Sequence, residues 1–239
     1  MPTHSLFGVN LKPHSCGHCS LLASRRQVLT AIAGGVAVLW DRPPVVAQTV
    51  LSPDAALTGL MAGNDRFVQG KLASLEEDLT ILKEHTVSKQ EPFAALLSCA
   101  DSRVPVELIF DQSIGHVFVT RVAGNVCTPE VIASLEYGAT VLGVPIIMVL
   151  GHDGCGAVKA SIEGKPVPGQ ISALYAPLRP AIERAGPDLT AAIKANAQIQ
   201  AGLLRTASPV IAPLVKTGKL KVVAAYYDLA SGKATLLDQ

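Results

Sequence analysis

The sequence predicts an α/β domain built around a mostly parallel sheet, and three observations carry that reading. Short apolar runs rich in valine, isoleucine and leucine occur at residues 92–100 (PFAALLSCA), 116–124 (HVFVTRVAG) and 145–152 (PIIMVLGH). Between the second and third lies TPEVIASLEYGATVLG, with a helical period and a proline at its start, the alternation expected of parallel strands buried on both faces. The chain closes with KLKVVAAYYDLASGKATLLD, two strand-like runs joined at Ser231 and Gly232, which predicts a hairpin and therefore an antiparallel edge strand.

In chain order, residues 1–47 are set apart as a leader. SRRQVLTAIAGGVAVLW joins Arg25 and Arg26 to an apolar stretch too short to span a bilayer comfortably, followed by Arg42, Pro43 and Pro44. This reads as a twin-arginine export signal, cleaved after Val45, Val46 and Ala47, with a retained membrane anchor as the alternative. Export by the twin-arginine machinery to the periplasm or beyond is the expectation. HSCGHC, at residues 14–19, resembles a metal cluster but lies upstream of the arginine pair and is expected to leave with the leader.

Residues 48–239 then form a single domain. SPDAALTGLMAGNDRFVQG opens with a Ser-Pro helix start and ends at Gly70, and LASLEEDLTILKEHTV, carrying His85, continues with a second helix. After the third strand, GAVKASIEG predicts a helix stopped by Gly164, and a proline-punctuated helical region runs from about Ile171 to Thr217. Charge excludes one function class: 20 Lys and Arg against 19 Asp and Glu, with no basic run, do not make a nucleic-acid surface. Five irregularly spaced cysteines do not make a disulfide framework either.

The chemistry gathers where two strands end. The first delivers Cys99, and the third delivers His152 with Cys155 at the first turn of the next helix. Ligands of open α/β sheets collect beyond the carboxyl ends of strands. Two thiolates and one imidazole meeting there make a soft, tetrahedral donor set suited to zinc, and Gly151, Gly154 and Gly156 let the backbone crowd in.

CADSRVP (99–105), RVAGN (121–125), SLEYG (134–138) and GHDGCGAV (151–158) resemble, in order and spacing, the motif series of the β-class carbonic anhydrases. NDRFVQG and YDLASG extend the resemblance over nearly the whole domain. It implies a four-stranded parallel core in the order 2-1-3-4 with an antiparallel edge strand, and one zinc ion per subunit on Cys99, His152 and Cys155. It also implies an Asp101–Arg103 dyad, and a homodimer or homotetramer with active sites near the dimer interface. The implied activity is reversible hydration of carbon dioxide to bicarbonate and a proton by zinc-bound hydroxide.

The dyad answers a problem of charge. Two thiolates cancel the formal charge of the zinc, so the metal acidifies its water less than a site of three histidines would. Asp101 can accept a hydrogen bond from the reacting group, but unrestrained it can also close the site as a fourth ligand. Arg103 is expected to prevent that by holding the carboxylate in a bidentate pair, an ordinary buried ion pair being the alternative. His116 falls at the far end of the sheet, so no histidine serves as an evident proton shuttle. Asp153 is read as solvating its loop, and Cys127 matches no ligand position.

Two other functions stay open. One is hydrolysis of carbonyl sulfide or carbon disulfide on the same fold and metal. The other is a non-catalytic zinc- and bicarbonate-binding protein in which Asp101 permanently fills the fourth position.

Overall fold

The computed structural model describes residues 51–74 and 86–238. The leader, HSCGHC, and most of the second predicted helix with His85 lie outside the described residues. Helix α1 (Pro53–Val68) begins where Ser52 Oγ accepts the Ala55 N–H at 3.2 Å and proline occupies the first turn, the start the Ser-Pro pair predicts. Strand β1 (Ala94–Ser98) leads through CADSRVP into a single turn of helix, α2 (Val106–Ile109), and then to β2 (Val117–Arg121). Helix α3 (Pro129–Thr140), capped by Thr128, crosses to β3 (Ile146–His152). Helix α4 (Gly156–Glu163) stops at Gly164, whose φ of 61° is the left-handed cap expected of glycine.

The region expected to be helical from Ile171 onward divides into a 3-10 turn (Gly169–Leu174) and helices α5 (Tyr175–Ala185), α6 (Leu189–Ala207) and α7 (Ile211–Lys216). The breaks fall at Gly186, with φ 67°, and at Ser208, whose hydroxyl accepts the Ile211 N–H at 2.9 Å while donating to Glu136 at 2.6 Å. Strands β4 (Lys221–Tyr227) and β5 (Ala234–Leu237) form the closing hairpin.

The sheet order is β2-β1-β3-β4-β5, the first four strands parallel and β5 antiparallel, as the resemblance implies. Alternation along β1 divides the core. Ala95 and Leu97 face Leu135, Val149 and Leu204 on one side, and Ala94 and Leu96 face Leu60, Phe110 and Met148 on the other. β1 and β3 are buried at every residue, so they read as continuous apolar runs, whereas β2 at the edge is only half-buried. A leucine such as Leu96, with no exposed surface, contributes about 1.5–3 kcal/mol through burial. No helix among the described residues is long and apolar enough to cross a membrane.

This arrangement fixes the site. Adjacency of β1 and β3, with Ser98 opposite Leu150, sets their carboxyl ends side by side. The far end of the sheet carries His116, whose carbonyl accepts the Phe93 N–H at 2.9 Å just before β1.

Candidate metal centre

Cys99 is the first residue past β1, His152 the last of β3, and Cys155 the residue that opens α4. All three are buried, and their ligand atoms lie within 4.8 Å of one another. The two sulfurs stand 3.9 Å apart. Two sulfurs bound tetrahedrally at about 2.3 Å would be separated by roughly 3.8 Å, so the gap is that of a zinc dithiolate.

The imidazole is set for the same purpose. His152 Nδ1 lies 2.9 Å from the carbonyl oxygen of Asp153, which can only accept, so Nδ1 carries the proton and Nε2 the lone pair. That Nε2 is fully buried and has no hydrogen-bond partner. A buried acceptor without a donor is costly unless something else binds it. A metal ion held by Nε2 and the two sulfurs would resolve the deficit, so the donor set fits the zinc that sequence reasoning expected.

The thiols perturb each other. The hydrogen bond from Cys155, helped by His152 and by the Gly124 N–H at 3.3 Å, lowers the Cys99 thiol well below its ordinary value despite its burial. Its bond to Cys99 and its own burial push Cys155 far up, so without metal the pair holds one thiolate readily and the second with difficulty. A divalent cation is the natural means of carrying both.

Asp101 and Arg103 meet as expected. Arg103 Nε donates to Oδ1 at 2.9 Å and Nη2 to Oδ2 at 2.7 Å, a bidentate fork, and the Arg103 backbone N–H adds a third bond to Oδ1 at 2.9 Å. These bonds, the guanidinium's first, hold the Asp101 carboxyl well below the usual carboxylate range. Arg103 is itself tied to the ligand loop through Gly154 O at 3.3 Å. Asp101 Oδ2 lies 3.9 Å from His152 Nε2, so the carboxylate stands at the edge of the ligand cluster, turned to the arginine.

Sequence reasoning missed three features. Arg121, in RVAGN, grips the carbonyls of Cys99 at 2.9 Å and Asp101 at 2.5 Å, bracing the loop that carries the dyad. The Gly124 N–H on the Cys99 sulfur depends on a turn whose φ of 76° only glycine adopts readily. Asp153, read as a loop solvator, acts through its backbone carbonyl on His152, while its side chain accepts from Tyr226 at 3.3 Å. The RVAGN motif was the available signal for the first two. Cys127 is buried away from the cluster, its thiol pushed up to about 12 by burial.

The walls around the sulfurs are apolar, formed by Val126, Val158, Leu178 and Ile193. Surface clefts elsewhere among the described residues, one lined by Asp54, Arg205 and Lys221, another by Arg184, Lys194 and Leu237 and a third by Lys89, Tyr137 and Val141, include no residue of the cluster.

Comparison with known proteins agrees with this geometry. Residues 94–234 match the family described as carbonic anhydrase. Carbonic anhydrase 2 of Mycobacterium tuberculosis is 35% identical over 201 residues, covering 78% of this chain and 94% of that protein. The crystal structure of the β-carbonic anhydrase CafA of Aspergillus fumigatus superposes with a TM-score of 0.62 at 26% identity, over 76% of this chain and 90% of that one. A tetrameric β-carbonic anhydrase of Sordaria macrospora shares the fold, with a TM-score of 0.61 at 21% identity over 67% of this chain and 90% of that one.

Proposed function

The chain belongs to the β-class carbonic anhydrase family, and from that premise we propose that it hydrates carbon dioxide reversibly to bicarbonate and a proton, with one zinc ion on Cys99, His152 and Cys155. The observation that carries the reading is the buried, unpartnered Nε2 of His152 beside two sulfurs 3.9 Å apart. When bound, the zinc supplies a Lewis acid that lowers the pKa of a coordinated water enough for it to attack carbon dioxide near neutral pH.

The chain's own residues do the rest. Asp101, kept ionised by Arg103, accepts a hydrogen bond from the group at the fourth position and so favours and aims its lone pair. Arg103 keeps that carboxylate from becoming the fourth ligand itself. Val126, Val158 and Leu178 offer an apolar wall to an apolar substrate. Among the described residues His152 is committed to the metal and His116 lies at the opposite end of the sheet, so external buffer is the expected proton acceptor. The bidentate hold on Asp101 speaks against a closed, non-catalytic zinc protein.

The proposal extends to assembly and location. A homodimer or homotetramer is supported by the half-buried edge strand β2 and the exposed apolar Ile114, Tyr137 and Val141, to be checked by light scattering. Twin-arginine export of the chain past residue 47, to the periplasm or beyond, is supported by Arg25, Arg26 and the apolar stretch after them. Retention in the cytoplasm of cells lacking that machinery tests it.

The central test is stopped-flow hydration of carbon dioxide by the zinc-loaded full chain, with Cys99→Ser as control. One zinc per subunit and turnover lost in the control are expected. Turnover confined to carbonyl sulfide or carbon disulfide, or zinc bound without any turnover, would overturn the reading.

A further inference from the structure

We propose that Asn196 and Gln200, on α6, are positioning residues that hold the Gly124 N–H on the Cys99 sulfur and so set how strongly that thiolate donates to the metal, an inference that rests on the zinc reading above. Both amides are buried, with exposures of 0% and 2%, and they lie one turn apart on the same helix face. A buried amide is stable only when its donors and acceptors are matched. Here each amide spends one bond on the same segment.

Asn196 Nδ2 donates to Gly124 O at 2.8 Å, and Gln200 Oε1 accepts the Cys127 N–H at 2.9 Å, so the two side chains clamp both ends of the turn that follows β2. Gln200 Nε2 braces the clamp by donating to Asn196 Oδ1 at 3.1 Å and to Pro177 O at 3.2 Å. The clamped turn is strained. Gly124 and Asn125 stand consecutively in the left-handed region, with φ of 76° and 43°. A non-glycine residue held there costs on the order of 1 kcal/mol and persists only when its surroundings over-determine it.

What the strain maintains is the bond from Gly124 N to Cys99 Sγ, 3.3 Å long. An N–H directed at a metal-bound thiolate draws charge from the sulfur, making it a weaker donor and leaving the metal more electrophilic. That offsets the disadvantage of a metal already neutralised by two thiolates. The clamp touches neither metal nor substrate; it acts through Gly124.

The test uses the full chain loaded with cobalt(II) in place of zinc, reading the thiolate-to-metal charge-transfer band, and the zinc-loaded chain, reading metal release to a chelator. Asn196→Leu and Gln200→Met are expected to move the band to lower energy, the signature of a stronger thiolate donor, and to change the rate of release on the order of tenfold. Asn64→Leu is the control for a merely structural role. Asn64 is equally buried and bonds Ile109 O at 3.1 Å, Gly232 O at 2.9 Å and the Ala234 N–H at 2.8 Å, none of them in the ligand loops. It is expected to lower Tm with band and release rate unchanged.

A wild-type band and release rate in folded Asn196→Leu would overturn the proposal, as would equal changes in Asn64→Leu. Should Asn196→Leu fail to fold, Gln200→Met, which removes the brace but keeps the bond to Gly124, is read in the same way. A wild-type chain that takes up cobalt without any thiolate band would instead overturn the ligand assignment on which the proposal rests.

Discussion

Replacing Arg103 with methionine removes the guanidinium while keeping an unbranched stem of similar length. Asp101 then loses the bonds at 2.9 and 2.7 Å from Nε and Nη2 and keeps only the 2.9 Å bond from the residue 103 backbone. Its Oδ2 stands 3.9 Å from His152 Nε2. Two oxygen or nitrogen ligands of one tetrahedral zinc, each at about 2.0–2.1 Å, are roughly 3.4 Å apart. The released carboxylate therefore has to move only about half an ångström relative to the imidazole to complete the coordination shell, a distance covered by a small side-chain rotation.

The expected outcome is full zinc content with turnover reduced on the order of 10- to 100-fold at neutral pH, the range typical when a group orienting a metal site is lost. Stopped-flow hydration gives the rate, elemental analysis the zinc, and X-ray absorption the fourth ligand, expected to be an oxygen of Asp101. Arg103→Lys, which supplies a charge but no fork, is expected to fall between the two. Wild-type turnover in Arg103→Met at full zinc occupancy would refute the restraint assigned to Arg103.

Two further outcomes concern the scaffold. Burial alone would raise the Asp111 carboxyl, but the N–H groups of Ser74 and Ala73 and the Arg66 guanidinium outweigh it and bring it down to about 2, below the ordinary value near 3.9. The stability it contributes is therefore present above about pH 4 and lost as pH falls through about 2. Asp111→Asn should unfold more easily in urea at pH 7, by roughly 2 kcal/mol, and show a flatter decline between pH 4 and 2. Gly63→Ala would place a methyl 1.8 Å from the Phe110 carbonyl oxygen, a backbone atom that cannot swing aside. A loss of about 1–3 kcal/mol or more in urea unfolding is expected, and an unchanged midpoint would contradict the close approach of α1 to the Phe110 backbone.

Much of this was legible because the chemistry lies at strand ends. Cys99 and His152 terminate apolar runs, and a strand's end can be read from where its apolar run stops. Asp101 and Arg103 stand two residues apart, so their bidentate contact follows from local geometry once a turn is assumed. What could not be read depends on pairs distant in sequence. Gly124 and Asn196 are separated by 72 residues, and nothing in the period of α6 marks Asn196 as facing the site. Arg121 stands in the RVAGN motif, but it acts on carbonyl oxygens, which every residue carries, so the motif marks the residue without saying what it holds. The carbonyl of Asp153 holds His152 whatever side chain the residue carries, which is why attention to its carboxylate pointed elsewhere. The long helical region was read as one block because Ser208, its last break, is a cap whose partner Glu136 belongs to another helix.

The two sulfurs belong to residues 56 positions apart, joined only because β1 and β3 lie side by side. A chain that has not closed that crossover has His152 and Cys155 together on one segment and Cys99 on another, and lacks the three-ligand set. Affinity for a metal held by all three residues would thus report finished topology, and each tenfold rise in free metal above its Kd would add about 1.4 kcal/mol to that state. Loss of the ion would then be felt as a loosening of the central strands themselves, since the residues that would hold it are continuous with β1 and β3, which are buried at every residue.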